Sequence, residues 1–342
     1  MIEKQVPPSV DAVPAETGPP QPELTFVIPV FDESGCIKEL YSQLNLVSQD
    51  IKLGLEILFV DDGSTDGSDA LLDAIAANDP RVAVIHFRRN YGKSAALDAA
   101  FRLARGDIII TLDADLQDDP AEIPRFLAKL DEGYDVVSGW KRTRHDPLSK
   151  TLPSRLFNWF TRKVSGLALH DFNSGFKAYR RECLAQLRLY GELHRYIPVV
   201  LHWEGFRIGE MEVTHRPRLA GKSKFGSRRL ITGAFDLMTV VLTSKFRHRP
   251  LHFFGYAAVV LGLIGGLALA WLFALSVTGL DPLRPRPLLY ASILLLLTSV
   301  SLIATGLLGE LIKSLSPYSN EYHLRPTKSG KSRHHASDDH AG

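Results

Sequence analysis

Two stretches of this chain, 251–279 and 288–312, are apolar and almost free of charge. Each is long enough to cross the roughly 30 Å of bilayer hydrocarbon as a helix. In hydrocarbon every backbone N–H and C=O needs an internal partner, so helix is the form expected of both. The connection Leu280-Asp281-Pro282-Leu283-Arg284-Pro285-Arg286-Pro287 is too short to be a domain, and the two spans are therefore read as a hairpin. Gly262, Gly265 and Gly266 in the first span are small enough to allow close helix packing. Both spans lie far from the N-terminus, which excludes a signal peptide. Lys245, Arg247, Arg249 and Lys313 flank the hairpin against Arg284 and Arg286 between the spans, a balance that favours cytoplasmic termini.

The remaining chain is long enough for a full α/β core. Its two cysteines, Cys36 and Cys183, provide no disulfide framework and agree with a reducing compartment. A net charge of +2 gives no reason to expect nucleic acid as a partner, and the basic residues gather near the spans, where anionic headgroups or a phosphate could meet them. Residues 1–22, with Pro7, Pro8, Pro14, Pro19, Pro20 and Pro22, read as a disordered leader. The segment 313–342 reads as a cytoplasmic tail, and its His334, His335 and His340 fit a solvated end better than a metal site.

Between these ends the pattern alternates. Strands are expected at 24–30, 55–60, 82–86, 107–112 and 135–138, and helices at 33–48, 66–77, 93–105 and near 121–132. Such a rhythm implies a mostly parallel sheet covered on both faces, with ligands bound beyond the carboxyl ends of the strands. Later segments are looser: a helix over 149–165, strands at 175–179 and 207–213, and a basic-ended apolar helix over 228–244 that reads as lying along a membrane surface and equally as an ordinary packed helix.

Two acidic pairs fall at strand ends. Asp61-Asp62 follows Leu55-Glu56-Ile57-Leu58-Phe59-Val60, and Asp113-Ala114-Asp115 follows Asp107-Ile108-Ile109-Ile110-Thr111-Leu112. Side chains two apart on an extended segment point the same way, so Asp113 and Asp115 can converge on one hard cation, which in turn would hold phosphates. Taken singly, either pair is equally a turn or a helix cap. Gly92-Lys93-Ser94 and Gly221-Lys222-Ser223 resemble part of a phosphate loop, but Phe87 and Arg216 stand where the Walker pattern needs glycine. No Gly-x-Gly-x-x-Gly follows the first strand, which removes the main support for a dinucleotide site.

The ordered motifs Phe26-Val27-Ile28-Pro29-Val30-Phe31-Asp32-Glu33, Val60-Asp61-Asp62-Gly63-Ser64-Thr65-Asp66 and Asp113-Ala114-Asp115-Leu116-Gln117-Asp118 carry a resemblance. With Asp171-Phe172-Asn173-Ser174-Gly175-Phe176 and the run Arg216 to Lys224, the chain resembles the family 2 glycosyltransferases of the GT-A fold. Within them it is similar to the polyprenyl-phosphate sugar synthases of the dolichol-phosphate mannose synthase and GtrB-like type, over roughly 24–320.

The resemblance implies a GT-A domain at 23–227, a juxtamembrane helix at 228–250 and the hairpin at 251–279 and 288–312. It implies that Pro29, Phe31, Glu33, Phe59 and Asp61 meet the nucleoside, and that Asp113 and Asp115, with Ala114 between them and Gln117 nearby, hold Mg2+ or Mn2+. Arg218 and Lys224 match positions that contact the donor phosphates. Trp140-Lys141-Arg142 replaces the family's usual arginine, leaving open which of Lys141 and Arg142 reaches them. Asp62, Ser64 and Asp66 read instead as turn and cap residues.

The implied reaction is inverting transfer of one sugar from a nucleotide diphosphate sugar, of UDP-glucose or GDP-mannose type, to a polyprenyl phosphate. That acceptor is already anionic near neutral pH, so a general base is not required. Arg88, Arg89, Arg155, Arg162 and Lys163 are candidates for steering it, and His170 and His194 are read as structural. The implied partners are donor, acceptor and membrane lipid, and a homo-oligomer is compatible with them. A processive polysaccharide synthase lacks support because no Gln-x-x-Arg-Trp motif is present, and a silent membrane scaffold does not explain the intact acidic pairs.

Overall fold

In the computed structural model, residues 21–142, 158–185, 187–216, 236–246, 249–278 and 287–315 are described. The chain divides into two compact units, Met1–Lys245 and Phe246–Gly342.

The first unit alternates as its hydrophobic pattern dictates. Strand β1 (Leu24–Val30) leads to helix α1 (Ser34–Asp50), β2 (Leu55–Asp61) to α2 (Ser68–Asn78), and β3 (Val82–His86) to α3 (Lys93–Leu103). Strand β4 (Ile108–Thr111) is followed by a 3-10 turn at Pro120–Glu122, α4 (Ile123–Asp131) and β5 (Val136–Trp140). Residues 158–165 form helix α5. Strand β6 (Lys177–Arg180), the short α6 (Arg181–Leu184), α7 (Ile197–Trp203) and β7 (Ile208–Glu212) follow. The last two helices were not apparent in the hydrophobic pattern.

The seven strands lie in the order β3-β2-β1-β4-β6-β5-β7. All pairs are parallel except those of β6, which runs antiparallel to both β4 and β5. Both faces are covered, and neighbouring strand residues alternate between two apolar layers. Val27 and Ile109 pack with Leu97 and Phe101 of α3 and with Val199 of α7. Phe26, Ile28 and Ile110 pack on the other face with Ile37 and Leu40 of α1 and Phe126 of α4. The chain leaves β1 for β2 on one side and has β4 on the other, so the crevice for a ligand opens beyond the carboxyl ends of β1 and β4.

Of the expected helix over 149–165, only α5 falls on described residues. Of the segment 228–244, residues 236–240 are helical (α8) and Val241–Lys245 continue as a π-helical turn. Leu237 and Val240 of α8 are buried in the same apolar layer as Val199, so the described part of this segment is a packed helix.

The second unit is an antiparallel pair, α9 (Pro250–Val277) and α10 (Pro287–Leu315), both long and apolar enough to cross a membrane. Each begins with proline, whose fixed φ suits the first helical position. Glycines on both helices make the close contacts: a Cβ on Gly265 would lie 2.9 Å from the Ser292 carbonyl oxygen, and one on Gly306 would lie 2.8 Å from Leu251 Cδ1. Ser299 Oγ donates across the pair to the Ala258 carbonyl at 2.7 Å. Gly266 faces open space, so it takes no part in this packing, contrary to the expectation that grouped it with Gly262 and Gly265.

Candidate functional site: an acid and lysine cluster at the strand ends

Asp113 and Asp115 do not continue the strand. β4 ends at Thr111, and the following residues turn sharply, with Leu116 in the left-handed region at φ 59°. A bulky buried residue in that conformation costs on the order of 1–2 kcal/mol, and such strain is characteristic of ligand sites. Alternation along an extended segment therefore does not govern where the two carboxylates point. Asp115 is buried and its Oδ1 accepts the Gln117 backbone N–H at 3.2 Å. Asp113 is half-buried and forms an ion pair with the Lys93 ammonium.

Gly175 makes room for this arrangement. It lies just before β6, and its carbonyl accepts a 2.7 Å hydrogen bond from Thr111 Oγ1. A Cβ here would stand 2.6 Å from Asp113 Oδ1. The antiparallel insertion of β6 thus places a glycine backbone directly against the carboxylate.

Around Asp113 the charges interleave. Lys141, at the end of β5, lies 2.7 Å from Asp118 Oδ1, whose carboxylate is fully enclosed. Burial favours the neutral amine of Lys141, yet Asp118 and Asp113 hold its ammonium above the ordinary range. Lys177 of β6 is buried and donates to the Ser174 carbonyl. Burial, and then the neighbouring Lys93, push it down to about 8. Burial would raise the Asp113 carboxyl, but Lys93 and Lys141 outweigh it and bring it to about 2. His194 is held well below its ordinary value by burial and by Lys93, and it is fixed by Ser94 Oγ, 2.9 Å from its Nδ1. It stays neutral.

Lys141 and Arg142 have different surroundings. Lys141 enters the cluster. Arg142 is exposed, lies 3.4 Å from Glu212 and sits over the Trp140 ring.

The second acidic pair has a different use. Asp61 ends β2 and is buried; its carboxylate accepts the Ser64 N–H at 3.0 Å and meets His86 Nδ1 at 3.0 Å. Burial would raise it, but those bonds lower it. His86 also reaches Asp73 through Nε2 at 3.0 Å. Asp62 accepts the backbone N–H groups of Tyr91 and Gly92 at 2.7 and 2.9 Å, which fixes the turn that delivers Lys93. Burial nevertheless holds Asp62 above its ordinary value. Ser64 Oγ accepts the Asp32 N–H, Ser68 Oγ accepts the Glu33 N–H and Asp66 accepts the Ser34 N–H, so this loop caps α1 from another segment. Pro29, Phe31 and Glu33 line the end of β1, each half-buried. Phe59 is fully enclosed in the core between sheet and helices, so its ring supports the crevice from within and does not line it.

Gln117 is tied down at its carbonyl, which accepts the Arg216 N–H at 2.9 Å, and Asp118 pairs with His215. The Arg216 guanidinium continues this clasp to Asp119. Arg218 and Lys224 lie outside the described residues. Of the acceptor candidates, Arg162 is used in holding the Leu169 carbonyl, Arg89 and Lys163 stack on Tyr91 and Trp159, and Arg155 lies outside the described residues. Sequence reasoning missed Lys93, Lys177 and His86. Lys93 sat in the rejected Gly-Lys-Ser triplet; its place after β3, at the first residue of a helix, was the signal.

Among the described residues, no three His, Cys, Asp or Glu side chains gather as a metal site. The donor set still fits a hard divalent ion that takes its other ligands from phosphate: two carboxylates, a glycine cradle beside one of them, and an ammonium already bound there as a cation.

A mostly parallel α/β sheet with acids and lysines beyond its carboxyl ends has the GT-A arrangement. Residues 25–188 match the model of glycosyl transferase family 2. The chain is 36% identical to dodecaprenyl-phosphate galacturonate synthase of Rhizobium johnstonii over 85% of its length and 87% of that protein. It is 35% identical to undecaprenyl-phosphate 4-deoxy-4-formamido-L-arabinose transferase of Pseudomonas aeruginosa, over 84% of each chain. A crystal structure of glucosyl-3-phosphoglycerate synthase from Mycobacterium tuberculosis with Mn2+, UDP-glucose and phosphoglyceric acid is similar at 21% identity. It covers 64% of this chain and 80% of that one, with a TM-score of 0.49. The chain belongs to glycosyl transferase family 2 and is a glycosyltransferase.

Proposed function

We propose that the protein transfers one sugar, with inversion, from a nucleoside diphosphate sugar to a polyprenyl phosphate. The carrying observation is that relatives matching this chain almost end to end share that acceptor class in their names while differing in the sugar. The two apolar helices support it, since they would hold the catalytic unit at the interface where a lipid phosphate lies. The positive flanks, including Lys245 and Arg249, favour a cytoplasmic catalytic unit and cytoplasmic termini.

In this reading Pro29, Phe31, Glu33 and Asp61 form the nucleoside end of the crevice. Asp113 and Asp115, with Gln117 beside them, hold Mg2+ or Mn2+, which when bound neutralises the departing diphosphate. Lys141 places positive charge on the same phosphates, and Arg218 and Lys224 complete it from the following segment. The acceptor oxygen arrives already charged, so the protein's task is placement and charge compensation. Donors among relatives are a uronate and a modified pentose, which favours a modified or acidic sugar over plain glucose or mannose.

The test is a panel of nucleotide-activated glucose, mannose, galacturonate and 4-deoxy-4-formamido-L-arabinose with polyprenyl phosphate, read by the mass of the lipid product. One sugar-phosphate lipid is expected. Transfer to a growing polysaccharide, or to water alone, would refute the reading.

A further inference from the structure

We propose that Lys93 is a built-in stand-in for the divalent cation, so that the metal enters with the nucleoside diphosphate and displaces the ammonium from Asp113. This inference rests on the assignment of Asp113 as a metal ligand made above. Its own support is the ion pair between Lys93 Nζ and Asp113 Oδ1, which occupies one of the oxygens an ion would use.

The pairing is built into the backbone. Both oxygens of Asp62 are used on the turn before α3, one on the Tyr91 N–H and one on the Gly92 N–H. Gly92 takes a φ of 92°, a left-handed conformation that suits glycine, and the next residue is Lys93. Gly175 leaves the carboxylate its place beside the β6 backbone, since any side chain there would collide with Asp113. Lys93 and Asp113 are each about 30% exposed, 29% and 31%, so the contact is partly sheltered from water yet open to exchange.

Two cations cannot comfortably share that oxygen. A magnesium ion binds at about 2.0–2.1 Å, which would bring it against the ammonium in a pocket that already holds Lys141 and Lys177. The crowding is visible before any ion arrives, because Lys93 helps drive the buried Lys177 toward neutrality. A diphosphate changes the balance: it brings ligands for the ion and new acceptors for the released ammonium. Lys93 thus keeps the acidic site compensated while empty and becomes a phosphate contact when loaded. Asp62, next to Asp61 at the nucleoside end, makes the turn of Lys93 a physical link between the two ends of the crevice.

The experiment measures Mn2+ binding to the full chain in detergent by the electron paramagnetic resonance signal of free Mn2+, without nucleotide and then with UDP or GDP. Without nucleotide, Lys93→Met should bind Mn2+ about tenfold more tightly than the unaltered chain, while Lys93→Arg, which restores a cation, should not. With nucleoside diphosphate the difference should shrink. Equal Mn2+ affinity of the Met variant and the unaltered chain without nucleotide, with Asp113→Asn weakening both, would overturn the proposal and leave Asp113 as a metal ligand. If Asp113→Asn changes nothing even with nucleotide, the metal assignment itself fails and this inference with it. Should Lys93→Met not fold, Asp62→Asn, which loosens the turn carrying Lys93, should shift nucleotide-free affinity the same way, and no shift would count against the proposal.

Discussion

Gly175→Ala isolates the placement of one carboxylate. The glycine has no left-handed φ, so alanine brings no backbone strain there, and the new methyl acts only through contact. Its Cβ would lie 2.6 Å from Asp113 Oδ1 and closer still to Oδ2, against about 3.4 Å for ordinary contact, so the carboxylate must withdraw by about 1 Å. The neighbouring carbonyl of Gly175 is held by Thr111 Oγ1, and the β6 register continues directly from Lys177, so the backbone has little freedom to give instead. Misplacement of a reacting group by about 1 Å costs on the order of 100-fold in rate, equivalent to about 2.7 kcal/mol of barrier. The assay is initial-rate transfer of labelled sugar to polyprenyl phosphate, with thermal unfolding in the same detergent as control. The expected result is a fall in kcat near 100-fold with a melting shift of only a few degrees. Turnover within threefold of the unaltered chain would refute the idea that Asp113 is positioned by that glycine.

Asp118→Asn leaves the buried Lys141 without its closest counter-charge; urea unfolding should show a loss of about 3 kcal/mol, the lower part of the range for a broken buried pair because Asp113 and Asp115 still attract the ammonium. His86 is raised above 6.5 because Asp61 and Asp73 outweigh the opposing effect of burial. Its stabilisation is therefore complete below that value and is lost as pH rises through the folded-state value, so melting temperature should decline from pH 6 to pH 8.5 and His86→Gln should flatten that decline. In the hairpin, Gly265→Leu should lower the melting temperature in detergent while Gly266→Leu should not, since only the first faces Ser292 and Leu295.

Much of this architecture is written in local patterns. β1, β2 and β4 are buried on both faces and read as apolar runs, and the acids that follow them mark the carboxyl ends of the sheet. The apolar helices are equally plain because bilayer hydrocarbon tolerates few polar residues. What local pattern does not carry is approach in space. Lys177 and Gly175 come beside Asp113 only because β6 enters the sheet antiparallel next to β4, a choice of topology with no signature in residues 175–180. Lys141 and Arg142 are adjacent in sequence, yet the turn just past β5, where the Arg142 N–H bonds to the Trp140 carbonyl, leaves one at Asp118 and the other at Glu212. Phe59 was placed beside the base by resemblance, whereas strand alternation turns its ring into the core. The reading of Asp113 and Asp115 as side chains of a continuing strand failed for a related reason: the turn at Leu116 takes over where β4 stops.

The central claim is that Asp113, by holding the proposed divalent ion, brings compensating charge to a departing diphosphate at the strand ends. Asp113→Asn keeps the shape and removes the charge, and its turnover in saturating Mn2+ is the most direct test. The account predicts a loss of about 100- to 1,000-fold, the scale on which removing one contributor to transition-state charge stabilisation acts, with an unfolding curve close to that of the unaltered chain. Sugar transfer to polyprenyl phosphate at a similar rate in both proteins would contradict it.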